Sequence, residues 1–362
     1  MPLEIPTPPS HVRAIGYTHA PNGLPLEAFD RPVQAPAPDE LLVHVVSSSL
    51  NPLDYKLAAL NFLGRTPPVA LGFDFAGVVV ARGDGVTRFA VGDAVFGMAP
   101  SNRDGVWAHG GAGSYALVPQ FLIAKKPESL SFMEAGALGV CFLSAHLAFQ
   151  TNLASGNTVY IPGGGGGVGH LAIQKARALG AGLIISSGGN AGSRSLAKAV
   201  GATHVFDYRQ DDIADEIVKL TGGRGVDVVF DATYSEESFA ATASMVRPGG
   251  RWIVLGVGPG KTKRTVDVES PVAGILAARG AEFLTVNLLP YFSAPEGADA
   301  SVKTLLARAI EDAAAFRPHI SAVIPSEVDA INAAIADMQA GRRAFGKIAV
   351  VVDTARAEWS HG

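Results

Sequence analysis

Two textures of apolar and polar positions divide the chain. From Val12 to about Pro119, apolar residues come in short β-branched runs closed by Pro, Gly or Asp: LLVHVVSSSL (41–50), FAGVVVAR (75–82), VGDAVFG (91–97) and GSYALVP (113–119). Short runs with frequent turn signals predict a compact barrel or sandwich. After about Glu134 the texture changes. TVYIP (158–162) reads as a buried strand and HLAIQKARALGA (170–181) as a helix, with Leu171, Ile173, Ala176 and Leu179 on one face. LIIS, SLAKAVGA, HVFDY, DIADEIVKLTGG, VDVVFDAT, SFAATASMV and RWIVLGVG keep up the alternation. Strand and helix in turn, with short connections, predict a parallel sheet covered on both faces. VDAINAAIADMQAG predicts an amphipathic helix ending at Gly341, and KIAVVVD (347–353) a final strand. The first ten residues hold four prolines and predict an unpacked arm.

Length and composition sharpen this picture. At roughly 100–200 residues per domain, 362 residues predict two domains or three. Hydrophobic residues make up 48% and charged ones 17%, enough for a sizeable core. A net charge of −4 gives no electrostatic reason to expect nucleic acid or an anionic membrane as partner. Cys141 is the one cysteine, which excludes an intramolecular disulfide and a multi-cysteine zinc site. It lies in the apolar stretch GALGVCFLSAHLAF and is expected to be an inert buried thiol. No apolar run reaches the ~18 residues of a membrane span, and the N-terminus lacks a secretory pattern. The expected compartment is the cytoplasm.

The strongest local signal is TVYIPGGGGGVGHLAIQKARALGA. Gly164, Gly166 and Gly169 satisfy G-x-G-x-x-G directly after a predicted strand and at the start of a predicted helix. Gly164, Gly165, Gly166, Gly167, Val168 and Gly169 then form a turn that backbone can bring close to a pyrophosphate, with a helix N-terminus behind it. The alternative is a flexible glycine loop without a ligand. The second strand chooses the nucleotide. NAD sites usually place an acid there, ~20 residues beyond the glycines. Here none occurs from Gly163 through Phe206; Ser186, Ser187, Gly188, Gly189 and Asn190 end the strand, with Arg194 and Lys198 following. Hydroxyl donors and a cation welcome a 2′-phosphate that a carboxylate would repel, so NADPH is expected. Arg194 and Lys198 can also be the solvated face of a helix.

These segments, with NPLDYK (51–56), LGFDFAGVVVARGDGVTRFAVGDAVFG (71–97), VGATHVFDYR (200–209), GVDVVFDAT (225–233) and GRRAFGKIAVVV (341–352), resemble the zinc-independent medium-chain dehydrogenase/reductases. The likeness is to the quinone oxidoreductase and enoyl reductase branch. It implies an α/β protein: a GroES-like, barrel-type catalytic domain (1–135 and 306–362) with a doubly wound Rossmann domain (136–305) inserted. It also implies that Tyr208 reaches the adenosine 2′-phosphate with Ser187 and Arg194, and that Lys347 contacts the cofactor. GGNAGSR departs from the shorter, lysine-bearing turn common there. Relatives pair as homodimers, and the run Leu284 to Phe292 can be an edge strand at such an interface or an ordinary Rossmann strand. Zinc-dependent relatives carry a Cys where Asn51 stands, Gly-His-Glu where Gly72, Phe73 and Asp74 stand, and a Cys at about Val140. With those ligands and the structural zinc lobe gone, no metal is expected.

Without a metal, a quinone or α,β-unsaturated carbonyl is the easier acceptor, because the charge left by hydride addition spreads over the conjugated system. Asn51 and Tyr55 are four residues apart and project from one side of a helical turn. By resemblance that turn lines the nicotinamide site. Tyr55 can hydrogen-bond the substrate oxygen, donate the proton or wall the pocket; Asn51 can orient substrate or ribose, or cap the turn. Asp54 and Asp93 read as structural. His109, His146 and His170 stand alone, without metal-ligand spacing. Trp107, in the loop 101–113, can stack on a planar acceptor or anchor the surface. The first reading is an NADPH:quinone oxidoreductase, the alternative an NADPH-dependent enoyl or enone reductase. A more distant one is a non-enzymatic NADPH-binding sensor.

Overall fold

A computed structural model describes residues 5–99, 108–109, 114–233, 236–256, 271–288, 300–342 and 345–357. The chain divides into two compact units, one of residues 1–143, 289–343 and 347–362, the other of 144–288 and 344–346. Trp107 and residues 289–292 lie outside the described residues.

The first unit is built on strands β1 (His11–Tyr17), β2 (Glu27–Pro32), β3 (Glu40–Ser49), β4 (Val69–Ala70), β5 (Asp74–Arg82), β6 (Ala94–Met98), β7 (Ala108–His109), β8 (Ser114–Pro119) and β9 (Ile123–Lys125). Helix α1 (Pro52–Leu60) follows β3, and α2 (Phe132–Ala135) precedes α3 (Gly139–Phe149). The GroES-like character shows in the meandering antiparallel pairs: β3 with β5 and β8, β5 with β6, and β6 with β9. A smaller sheet joins β2, β1 and β4, with β7 on β1. All ten residues of β3 are buried. That explains its nearly continuous apolar reading, and its serines are satisfied internally. Ser47 Oγ donates to Phe132 O, Ser48 Oγ to Asp74 O (2.6 Å) and Ser49 Oγ to the Asp74 carboxylate (2.7 Å).

The second unit holds β10 (Thr158–Pro162), α4 (Gly169–Ala178), β11 (Leu183–Ser187), α5 (Ala191–Ala199), β12 (His204–Phe206), α6 (Ile213–Thr221), β13 (Val226–Asp231), α7 (Glu236–Ser244), β14 (Val246–Leu255), α8 (Pro271–Arg279) and β15 (Glu282–Val286). Its six parallel strands run in the order β12-β11-β10-β13-β14-β15. This is the doubly wound order, reversing between β10 and β13. Period-two alternation gives each face its own core. Val159, Ile161, Val228, Phe230 and Ile253 pack on one side with Phe149 and Ile173. Tyr160, Ile185, Val229, Trp252 and Val254 pack on the other with Phe239 and Leu276. The first half of the apolar run from Leu284 thus belongs to β15, an outer strand of this sheet.

The chain then forms α9 (Ala300–Ala313), β16 (Ile320–Pro325), α10 (Val328–Gln339), β17 (Lys347–Val351) and α11 (Thr354–Ala357). Helix α9 packs against β9 of the first unit. Strand β17 joins the main sheet of that unit between β16 and β3, with Ala349 opposite Ser49 and Val350 opposite Ser48. This register brings Lys347 to the end of β3. No helix among the described residues is long and apolar enough to cross a membrane.

Candidate active site

Three strand ends meet in the first unit. Antiparallel pairing sets Ser49, the last residue of β3, opposite Asp74, the first of β5. Leu50 N donates to Ile348 O at 3.0 Å, which fixes the start of β17 beside them. Asp74 is fully buried and its carboxylate accepts from four donors. Ser49 Oγ (2.7 Å), Asn51 Nδ2 (2.8 Å) and Lys347 Nζ (3.2 Å) reach Oδ2; Val140 N (2.6 Å) reaches Oδ1. The last of these lies in the first turn of α3, where free N–H groups and the helix dipole favour an anion. Gly139 makes that approach possible, since a Cβ there would stand 2.6 Å from Asp74 Oδ1.

The ammonium of Lys347 is the centre of the cluster. Its three N–H groups are shared among Asn51 Oδ1 (2.7 Å), Leu50 O (3.1 Å) and Asp74 Oδ2 (3.2 Å), with Cys141 Sγ a longer contact at 3.5 Å. Lys347, expected by resemblance beside the cofactor, is 3% exposed and engaged by groups of its own unit. Burial alone would lower its pKa; the Asp74 carboxylate, with the hydrogen bonds Lys347 makes to it and to Cys141, outweighs that and holds it above the ordinary lysine range. Burial raises the pKa of Cys141, and Lys347 only partly offsets this, so the sulfur stays a thiol at neutral pH. Asn51 is buried too, with its carbonyl on Lys347 and its amide on Asp74.

Asp54 closes the first turn of α1 by accepting from Asn51 N at 2.8 Å and from Gly72 N at 3.2 Å. Burial pushes its carboxyl up to about 8; the Asn51 N–H opposes the rise, the Asp74 charge adds to it, and Lys347 and the Gly72 N–H oppose it. Below that pH the cluster therefore carries one positive and one negative charge. Tyr55, one turn on from Asn51, is half-buried, and burial raises its phenol above the ordinary range. Among the described residues its hydroxyl has no hydrogen-bond partner.

The second unit carries the glycine turn at the point where strand order reverses. Gly163 has φ +66°, and Gly166 N donates to its carbonyl at 2.8 Å. A Cβ on Gly164 would overlap Ser186 Oγ, one on Gly165 would overlap Ser193, and one on Gly169 would overlap Gly163 O. Glycine here lets β10 turn sharply and lets the starts of α4 and α5 close up on it. The N-cap of α4, Val168, supplies no side-chain cap, while His170 N in the first turn is already taken by Gly166 O at 3.1 Å. His170 is a satisfied core histidine, its Nδ1 2.8 Å from Gly166 O. At the end of β13, buried Asp231 is held by Thr233, Ser238 and Thr242 hydroxyls (2.7–3.0 Å).

The 2′-phosphate candidates gather around Gly188 and Gly189. Ser187 Oγ is 2.9 Å from Tyr160 Oη and is buried. Arg194 Nη1 reaches Gly188 O (3.2 Å) and Asp207 Oδ2 (2.7 Å). Tyr208 is 56% exposed, with its hydroxyl where a Cβ on Gly189 would lie. Lys198 is committed elsewhere, its Nζ on Thr203 O at 3.1 Å. Sequence reasoning missed Asp207, which stands one residue past the acid-free window.

Comparison with known proteins bears on the family and the fold. Residues 37–128 match the family model of the alcohol dehydrogenase GroES-like domain, and residues 167–286 that of zinc-binding dehydrogenase. A mycocerosic acid synthase-like polyketide synthase of Mycobacterium tuberculosis is 36% identical over 238 residues, 64% of this chain but 11% of the length of that protein. The 2-methylene-furan-3-one reductase of Solanum lycopersicum is 30% identical over 253 residues, 64% of this chain and 65% of that enzyme. The quinone oxidoreductase structure of Pseudomonas syringae pv. Tomato DC3000 superposes with a TM-score of 0.74 at 26% identity, over 94% of this chain and 99% of that one.

The residues at the catalytic metal position do not fit zinc. Zinc wants thiolates, neutral imidazoles or carboxylates around it. Here an amide (Asn51), a thiol (Cys141) and one carboxylate (Asp74) surround a lysine ammonium. Among the described residues no group of three or more His, Cys, Asp or Glu could hold a metal ion.

Lys347→Met is expected to destabilise the protein by about 3–5 kcal/mol, because it leaves Asp74 buried without a counter-charge; urea unfolding measures this. A second expectation concerns pH. The Asp54 carboxyl holds its proton to about pH 8 when folded and only to about pH 4 when unfolded. Stability should therefore fall as pH rises through that window, by up to ~1.4 kcal/mol per pH unit from this group. Unfolding of Asp54→Asn across the same range should lack that component.

Proposed function

The chain belongs to the medium-chain dehydrogenase/reductase superfamily, and from that premise we propose that it is an NADPH-dependent oxidoreductase delivering hydride to a quinone without a metal. The observation that carries the cofactor is the end of β11. There Ser187, Arg194 and Tyr208 converge beside two glycines, at the strand end where a Rossmann sheet takes the adenosine ribose. When bound, the reduced nicotinamide supplies the hydride. The Gly164–Gly169 turn and the uncapped start of α4 bind the pyrophosphate. Arg194 and Tyr208 bind the 2′-phosphate, with Ser187 holding the strand end through Tyr160.

The Asn51, Asp74, Cys141 and Lys347 cluster does not have the donors of a zinc site, and a conjugated acceptor, which spreads negative charge through its own π system, suits such a site. Tyr55 is the donor we assign to the acceptor oxygen. Its raised pKa keeps the phenol protonated at neutral pH, in the form that can hydrogen-bond the oxygen and hand over the proton. Asn51, fixed by Lys347 and Asp74, anchors the start of α1 and thereby holds Tyr55 in place. One observation favours a second reading. The tomato relative is named for reducing a 2-methylene-furan-3-one, a conjugated ketone, and the same residues would serve an enone.

The test follows NADPH oxidation by chelator-treated protein against 1,4-benzoquinone, 9,10-phenanthrenequinone, an alkyl enone and a crotonyl thioester, with NADH in parallel. Turnover on the quinones is expected. Preference for the enone or thioester would install the second reading, and tight NADPH binding without turnover would overturn both. Tyr55→Phe is expected to lower kcat about 100-fold with the NADPH KM preserved; an unchanged rate would make Tyr55 a wall of the pocket.

A further inference from the structure

The charges at the end of β11 are not arranged simply to attract a phosphate. Strand β12 pairs in parallel with β11, Phe206 opposite Ser187, and Gly188 N donates to Phe206 O at 3.0 Å. The next residue, Asp207, is thereby set beside Gly188. The side chain of Asn190 caps α5 by accepting from Ser193 N at 2.8 Å, and Arg194 folds back from that turn. Its guanidinium bridges Gly188 O and Asp207 Oδ2. The side chains are 30% exposed for Arg194 and 14% for Asp207, so the pair sits at the surface of the subsite. The other Asp207 oxygen accepts from Arg209 N at 3.1 Å, an Asx turn, and Asp211 Oδ2 accepts from Asp207 N at 2.7 Å. Arg209 lies over the Tyr208 ring, 5.7 Å from its centroid.

We propose that Asp207 is a specificity-determining residue of the adenosine-ribose subsite, which holds Arg194 in place while cancelling its charge and so limits the preference for a 2′-phosphate over a 2′-hydroxyl. The inference rests on the dinucleotide reading above. A bound 2′-phosphate carries up to two negative charges, and a carboxylate within several ångströms repels it appreciably at the effective dielectric of a protein surface. The Arg194–Asp207 pair has no net charge, so it offers hydrogen-bond direction but little attractive field. A 2′-hydroxyl is neutral and does not feel the carboxylate in this way. Carboxylates at this end of a Rossmann sheet are also the groups that accept from a 2′-hydroxyl. Here the acid arrives from the third strand, across the sheet.

Asp207→Asn isolates the charge. Asparagine has the same size and keeps the Oδ1 acceptor of the Asx turn; its Nδ2 then faces Arg194, which loses the carboxylate and keeps Gly188 O. Calorimetric titration of the full chain uses two probes, 2′,5′-ADP and 5′-AMP. Asp207→Asn is expected to tighten 2′,5′-ADP about tenfold while moving 5′-AMP less than about twofold, with the gain shrinking at high salt. Arg194→Ala is expected to weaken 2′,5′-ADP selectively, with Asp207→Asn in that background recovering part of the loss. Equal effects of Asp207→Asn on both probes, or an unchanged or weaker 2′,5′-ADP affinity, would overturn the proposal while leaving the dinucleotide reading intact. Binding of neither probe by the wild-type protein would overturn the dinucleotide reading, and this inference with it.

Discussion

The first unit depends on one buried ion pair. Lys347 and Asp74 lie far apart in sequence, at the starts of β17 and β5, and meet at 3.2 Å in a site closed to water. A buried pair of this kind is not favourable for its charge alone, since desolvation is costly. What makes it tenable is that every remaining hydrogen-bonding direction is used. Asp74 has three further donors, and Lys347 has two oxygens and a sulfur besides. The pair thus specifies an arrangement: it seats β17 beside β3, draws in the start of α3, and aligns the Asn51 amide at the head of α1. The helix that carries Tyr55 inherits its position from this cluster.

An internal ammonium at this place also has chemical consequences. A cation is retained in the fold, but it is a fixed one that cannot bind a substrate oxygen through an open coordination site, as a catalytic metal does. Lys347 uses its donors on protein atoms. On the proposed reading, whatever polarises the acceptor comes from elsewhere, and conjugation in the acceptor would remove most of that need. The raised Asp54 carboxyl belongs to the same balance: with one carboxylate and one ammonium already present, a second buried negative charge beside Asp74 is disfavoured.

The second unit depends on close backbone approach. At the glycine turn the limit is the protein's own packing as much as any ligand, because side chains on Gly164, Gly165 or Gly169 would strike Ser186, Ser193 or Gly163. The turn, the uncapped start of α4 and the end of β11 are consequences of one sheet order. Charge at this sheet end is more evenly balanced than a phosphate site requires, because parallel pairing of β12 with β11 carries Asp207 into reach of Arg194.

Much of this was legible along the chain. Period-two runs and strand–helix alternation are local consequences of side-chain geometry, so β3, β5, β10, α4, α10 and β17 could be read directly. The glycine turn was legible because its residues are contiguous and its context is one strand and one helix. The apolar helix α3 left no amphipathic signal to separate it from its surroundings, whereas α9, with Leu306, Ala309, Ile310 and Ala313 buried on one face, carried one that the reading of the chain passed over. The roles of Lys347, Asp74 and Asp207 were not legible at all. Each depends on a partner brought in by strand register: Ser49 opposite Asp74, Ala349 opposite Ser49, and Phe206 opposite Ser187. Sequence by itself determined the two domain types and the glycine turn, because those are carried by neighbouring residues. Only the tertiary structure decided which charges neutralise one another, because hydrogen bonding and Coulomb attraction act over a few ångströms of space, whatever the separation along the chain.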